Sequence, residues 1–151
     1  MRLDLPIDVS RRLHHAVRRA GKNEIGGVMM AEQIEPGHFT LVDFTVDRRV
    51  GDEAHFVRSV DHHREALAEF FSLTGSDFGR FNYLGEWHSH PNHPPVPSME
   101  DVRSMERLVQ GEREIEFAVL LIVQARRGAL ALSARLFQRD APIRDVAIVG
   151  V

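Results

Sequence analysis

Four of the seven residues from Pro91 to Pro97 are proline, and no other feature restricts the backbone of this chain so tightly. Proline has no N–H and a fixed φ, so the stretch can be neither helix interior nor central strand. It must be a stiff loop. The segments on either side are thereby held in a set relation. Asn82 to Trp87 reads as a strand leading in. Ser98 is a good N-cap leading out, for a helix with the apolar stripe Met99, Val102, Met105 and Val109 that ends near Gly111.

The remaining elements follow from periodicity. Val9, Leu13, Ala16, Val17 and Ala20 recur at helical intervals, with Asp8 or Ser10 as N-cap and Gly21 as stop. Ile25 to Ala31 and Phe39 to Val46 are strand-like runs around a Pro36-Gly37 turn, which predicts a hairpin. Arg48 to Ala54 is charged and aperiodic, the pattern of a flexible loop. Val60, Leu67, Phe70 and Phe71 then mark a helix ending near Gly75. Ile115 to Gln124 and Ala129 to Phe137, joined by Arg126-Arg127-Gly128, predict a closing hairpin. The order predicts a mixed α/β domain, with a sheet of about five to six strands flanked by three helices.

At 151 residues the chain has the size of one domain able to enclose its own core, and residues 1–151 are expected to form a single one. No run of about eighteen apolar residues is present for a membrane span. The acidic start Met1-Arg2-Leu3-Asp4 does not read as a secretory signal, so the cytoplasm is the expected compartment. Without cysteine there is neither a disulfide framework nor a thiolate metal site, and any metal must be held by nitrogen and oxygen. A net charge of -3 gives no general attraction to nucleic acid, although Arg11, Arg12, Arg18 and Arg19 crowd one predicted helix as a solvated face.

Nitrogen and oxygen donors converge around the stiff loop. His88 and His90 stand two apart at a strand end, so their side chains share a face and can approach one ion. Asp101, eleven residues after His90 and one turn into the following helix, completes three ligands and leaves a fourth tetrahedral position open for water. Such a site also needs a group that moves protons. Glu24, just before the strand at Ile25, is the candidate, with Glu86 as its competitor because it shares the face of His88. Ser98 at the helix start has a hydroxyl that can support an oxyanion. His93 adds a further imidazole that could serve as a ligand, although a loop histidine between prolines reads rather as solvent-facing or near substrate. Trp87 alternates away from the ligands into the core, and Met29 and Met30 pack. His14, His15, His62 and His63 fall beside charged residues on predicted helices, which points to exposed faces. The reaction class is metal-assisted amide hydrolysis.

The run Gly85-Glu86-Trp87-His88-Ser89-His90-Pro91, followed by Pro97-Ser98-Met99-Glu100-Asp101, resembles the JAMM or MPN-plus signature: His-x-His, seven residues, Ser-x-x-Asp. Glu24-Ile25-Gly26-Gly27-Val28-Met29-Met30 is similar to that family's glutamate-bearing strand. The resemblance implies an MPN (JAB) fold and a zinc peptidase, with His88, His90 and Asp101 as ligands of Zn2+, Glu24 as acid/base and Ser98 as oxyanion support. The Gly-Glu-Trp-His start and compact length look like bacterial members found beside ubiquitin-like conjugation systems, including those of CBASS antiphage operons.

That resemblance implies a substrate as well: a ubiquitin-like protein joined through a flexible C-terminal tail to a target, with the activating and conjugating enzymes of the same system as further partners. An extended tail is expected to add beside an exposed strand and run its last peptide bond into the metal site. The alternatives are processing of a sulfur-carrier protein, a non-catalytic MPN-type scaffold, and a RadC-like protein associated with DNA repair. Retention of every ligand argues against a scaffold, and the acidic net charge argues against nucleic acid.

Overall fold

The computed structural model describes residues 1–47, 60–111 and 115–150. The elements run β1 (Arg2–Asp4), α1 (Ile7–Ala20), β2 (Gly26–Glu35), β3 (His38–Phe44), α2 (Val60–Leu73), β4 (Phe81–Ser89), α3 (Met99–Gln110), β5 (Phe117–Arg126), β6 (Ala129–Gln138), β7 (Arg144–Asp145) and β8 (Ala147–Val149). The predicted loop at Arg48 to Ala54 lies outside the described residues.

Among the described residues the mixed α/β architecture with three helices is present, but the expected five to six strands must be corrected to eight in one sheet, ordered β7-β6-β5-β4-β2-β3-β1-β8. The added strands β1, β7 and β8 are two or three residues long. Runs that short show no alternation, so sequence periodicity cannot reveal them. They form the two edges, with β1 between β3 and β8 in parallel register.

The sheet separates two layers. Odd residues of β5 (Val119, Leu121, Val123) join Leu13 and Val17 of α1 in one core, while even residues (Ala118, Leu120, Ile122) join Met105 and Val109 of α3 in another. Alternation therefore places α1 and α3 on opposite faces. Residues 86 and 88 of β4 register with Leu120 and Ile122, so Glu86 and His88 face the α3 layer. Trp87 turns to the α1 layer, where it is fully buried, meets Phe44 edge-on and donates from Nε1 to the Thr45 carbonyl at 2.9 Å.

Two glycines make the centre of the sheet possible. At Gly85 φ is +155°, and a Cβ there would run into the Val119 backbone of the neighbouring strand. Gly26 sits opposite His88, and a Cβ would strike the Trp87 carbonyl and the His88 Cβ. A side chain at position 26 would thus displace the strand that carries both histidines.

Local details differ from the sequence reading. α1 starts at Ile7 after Pro6, whose ring pre-sets φ near −57°, so neither Asp8 nor Ser10 caps it. Met99 is 69% exposed: it starts α3 off the stripe that buries Met105 and Val109. His63 is buried, not exposed, because its Nδ1 meets the Thr45 hydroxyl at 2.9 Å beneath α2. The side chain of His62 lies outside the described residues.

Candidate metal centre

The end of β4 and the start of α3 bring His88, His90 and Asp101 together, with one donor atom from each within 4.8 Å of the others. The proline loop between them holds no strand or helix, as its composition requires. The two Nε2 atoms are 3.1 Å apart. Asp101 Oδ1 lies 3.4 Å from His88 Nε2, and Oδ2 lies 3.7 Å from His90 Nε2. Ligand bonds of 2.0–2.2 Å in a tetrahedron put donor atoms roughly 3.3–3.6 Å apart. The donor set and its spacing thus fit a divalent ion such as zinc.

Orientation comes from the surrounding chain. His90 Nδ1 lies 2.9 Å from the Pro94 carbonyl, which accepts only, so the proton sits on Nδ1 and the Nε2 lone pair faces the other donors. Ser98 and Asp101 form a reciprocal capping box. The Ser98 N–H donates to Asp101 Oδ2 at 2.6 Å, and the Asp101 N–H donates to the Ser98 hydroxyl at 3.2 Å. Burial alone would raise the Asp101 carboxyl, but His88 and both Ser98 groups outweigh it and bring it down to about 2. Asp101 is therefore held as a carboxylate, the form that binds a cation.

These residues open into a cavity of about 440 Å³ that Glu24, Glu86, His93 and Ser98 also line. Glu24 is buried between α1 and β2, and burial raises its carboxyl against the opposing pull of His90 and His88. Glu86 is buried deeper along β4. His93 is exposed, with its ring edge-on to His90 at a centroid distance of 6.3 Å, and among the described residues it stands outside the converging donor group. The structure thus brings all five predicted site residues to one cavity. It gives β4 neighbours on both flanks, since Gly26 pairs with His88 and Val123 with Ser89. Among the described residues β4, which carries both histidines, therefore has no free edge.

Gln124 is a residue that the sequence reading passed over. Its side-chain amide donates to the His93 carbonyl at 2.7 Å and ties the proline loop to β5. No spacing rule marks a glutamine at a strand end for such a role.

A family model described as prokaryotic homologs of the JAB domain matches residues 6–136. The chain belongs to this family. JAB relatives in the curated set include a protein of Enterobacter hormaechei subsp. hoffmannii named "CD-NTase/cGAS isopeptidase". It is 30% identical over 132 residues, which cover 83% of this chain and 70% of that protein. A protein of the same name from Vibrio cholerae serotype O1 is 33% identical over 117 residues, covering 75% of this chain and 66% of its own length. The chain thus spans about two thirds of the length of these JAB relatives. Its fold is similar to solution structures of proteins from Desulfitobacterium hafniense (TM-score 0.64, 20% identity, 99% of this chain and 94% of that one) and Salinibacter ruber (TM-score 0.59, 22% identity, 100% and 92%).

Proposed function

We propose that residues 1–151 form a single JAMM-type domain acting as a zinc-dependent isopeptidase. It would hydrolyse the amide between the C-terminus of a ubiquitin-like, or similarly conjugated, protein and its target. The observation that carries this reading is the convergence of two imidazole nitrogens and one carboxylate at tetrahedral spacing beside a buried Glu24. A bound zinc would supply Lewis acidity toward the scissile carbonyl and lower the pKa of an attacking water.

The chain's own groups divide the remaining work. His88, His90 and Asp101 hold the ion. Glu24, raised by burial, suits both halves of proton transfer, taking the proton from water at its carboxylate and giving it to the departing amine. The Ser98 hydroxyl accepts from the Asp101 N–H, which leaves its own proton to donate to the oxygen that gains charge as the carbonyl is attacked. Glu86 lines the same cavity farther along β4 and is the alternative to Glu24 for proton transfer.

The relatives named CD-NTase/cGAS isopeptidase support deconjugation and, through it, a place in a cytoplasmic CBASS-type antiphage system with its activating and conjugating enzymes. A conjugate of a CD-NTase is accordingly the first substrate to assay. Incubated with the zinc-loaded protein, it should separate into two chains whose masses place the cut at the conjugating amide. Release of only a small adduct from a carrier's C-terminus would favour sulfur-carrier processing instead. An intact conjugate after incubation with fully loaded protein would refute the isopeptidase reading.

A further inference from the structure

α1 carries a charged face that the proposed hydrolysis leaves unused. Its apolar stripe buries Val9, Leu13, Ala16 and Val17. The opposite face exposes Arg11, Arg18 and Arg19, with Lys22 in the turn that follows. Arg11, Arg18 and Lys22 fall close to one line, with Arg19 about a quarter turn away, and from residue 11 to residue 22 there is no acidic side chain to offset them. Arg12, one heptad before Arg19 and on the same side of the helix, is paired with Asp43.

This face continues into the candidate metal centre along two routes. The first is covalent: α1 ends at Ala20, and Lys22 stands two residues before Glu24, which lines the cavity. The second runs through side chains. His14 Nε2 meets the Arg126 carbonyl at 3.4 Å, Arg126 Nε donates to Gln124 Oε1 at 3.2 Å, and Gln124 Nε2 donates to the His93 carbonyl at 2.7 Å. Arg126 and Arg127 of the β5–β6 turn, both exposed, therefore extend the cationic surface to the rim of the proline loop. Arg11, Arg18, Arg19, Lys22, Arg126 and Arg127 thus make six exposed cations on the α1 side, outside the cavity lining, in a chain whose net charge is -3.

We propose that this surface docks the acidic partner in the conjugate: a carboxylate-rich surface of the protein to which the tail is joined. The inference rests on the isopeptidase reading and adds a substrate property to it. The tail enters between β4 and α3, on one face of the sheet. The protein beyond the scissile amide then leaves the cavity toward the turn at residues 21–23 and the end of β5, where the cations stand. Arginine forks pair carboxylates with two parallel hydrogen bonds, and charges gathered at a site entrance speed encounter with a partner of opposite sign. The acidic balance of the rest of the chain disfavours a nucleic acid, which would have to lie across a wider surface than this one helix face and turn.

The test begins with binding, which needs no hydrolysis. Fluorescein-labelled oligoglutamate is titrated with the zinc-loaded full chain by fluorescence anisotropy, at low salt and at about 0.3 M salt. Binding should weaken by roughly tenfold or more with salt and to a similar extent in the double variant Arg18→Glu, Arg19→Glu. The matching lysine double variant should retain it, and Glu24→Gln should leave it unchanged. In the cleavage assay oligoglutamate should slow hydrolysis of the CD-NTase conjugate while leaving a short tail amide untouched. Three results would overturn the proposal: no binding of oligoglutamate, binding that survives charge reversal, or duplex DNA bound more tightly through the same arginines. Failure of the protein to cleave any conjugate would count against the isopeptidase reading, and the binding result would still decide whether the surface takes carboxylates.

Discussion

Asp101 and Ser98 cap one another, and through that exchange one carboxylate is shared between a helix terminus and a candidate metal centre. Oδ2 accepts the Ser98 N–H at 2.6 Å while Oδ1 faces His88 at 3.4 Å. The loop cannot shift at Ser98 without moving a donor. Ser98→Ala should therefore lower the stability of α3 by about 1 kcal/mol, a fall of roughly 3 °C in Tm for a chain of this size. Ser98→Asp restores a capping oxygen but removes the hydroxyl proton. Thermal melting should thus recover in Ser98→Asp while conjugate cleavage should not, and recovery of both would remove Ser98 from the chemistry.

Glu24 combines burial with a raised carboxyl. A group whose folded pKa is raised favours the fold below that value and penalises it above, so ionised Glu24 weakens the metal-free protein at neutral pH. Glu24→Gln should make the metal-free protein more resistant to heat at pH 7–8, while zinc content is retained and cleavage falls by about 10²- to 10⁴-fold. The corresponding change at Glu86 should leave the larger part of the rate. If Glu86→Gln is the inactive one, the proton-transfer assignment moves to Glu86.

The opposite sign holds for Asp101. Its carboxyl lies at about 2 in the folded, metal-free chain and near 3.9 when unfolded. Its contribution is therefore complete above about pH 4 and disappears as pH falls through about 2. Denaturant midpoints of the metal-free protein should drop across that window more steeply than those of Asp101→Asn. Parallel curves would show that the His88 and Ser98 contacts do not act on this carboxylate in solution.

Gly26→Ala tests how tightly the sheet supports the histidines. The added methyl meets the Trp87 carbonyl and the His88 Cβ, so the backbone must yield, at a cost of about 1–3 kcal/mol. Because the displaced strand carries His88, zinc affinity should fall along with Tm. A lower Tm with unchanged affinity, measured by competition with a chelator, would separate the sheet from the site.

How much of this was legible beforehand depends on the kind of signal. The strand, stiff loop and helix from Asn82 to Gly111 could be read because proline, a capping serine and a 3.6-residue stripe each leave a local mark. The placement of His88 and Glu86 on one face follows from strand alternation, and the structure puts both in the same cavity. β1, β7 and β8 were not legible: β1 and β8 are held by pairing with strands distant in sequence and β7 by two residues paired with β6, none by a pattern of its own. His63 was misjudged because the Thr45 hydroxyl that receives it comes from 18 residues away. The interior place of β4 was not legible either, since only the assembled sheet shows it.

The most direct test of the account is the rate of conjugate cleavage as zinc is titrated into the metal-free protein. The rate should rise in proportion to added metal and level off at about one zinc per chain, the occupancy of a single three-ligand site, while Asp101→Asn stays inactive over the same range. Cleavage by the metal-free protein at the plateau rate, or an Asp101→Asn titration that follows the wild type, would contradict it.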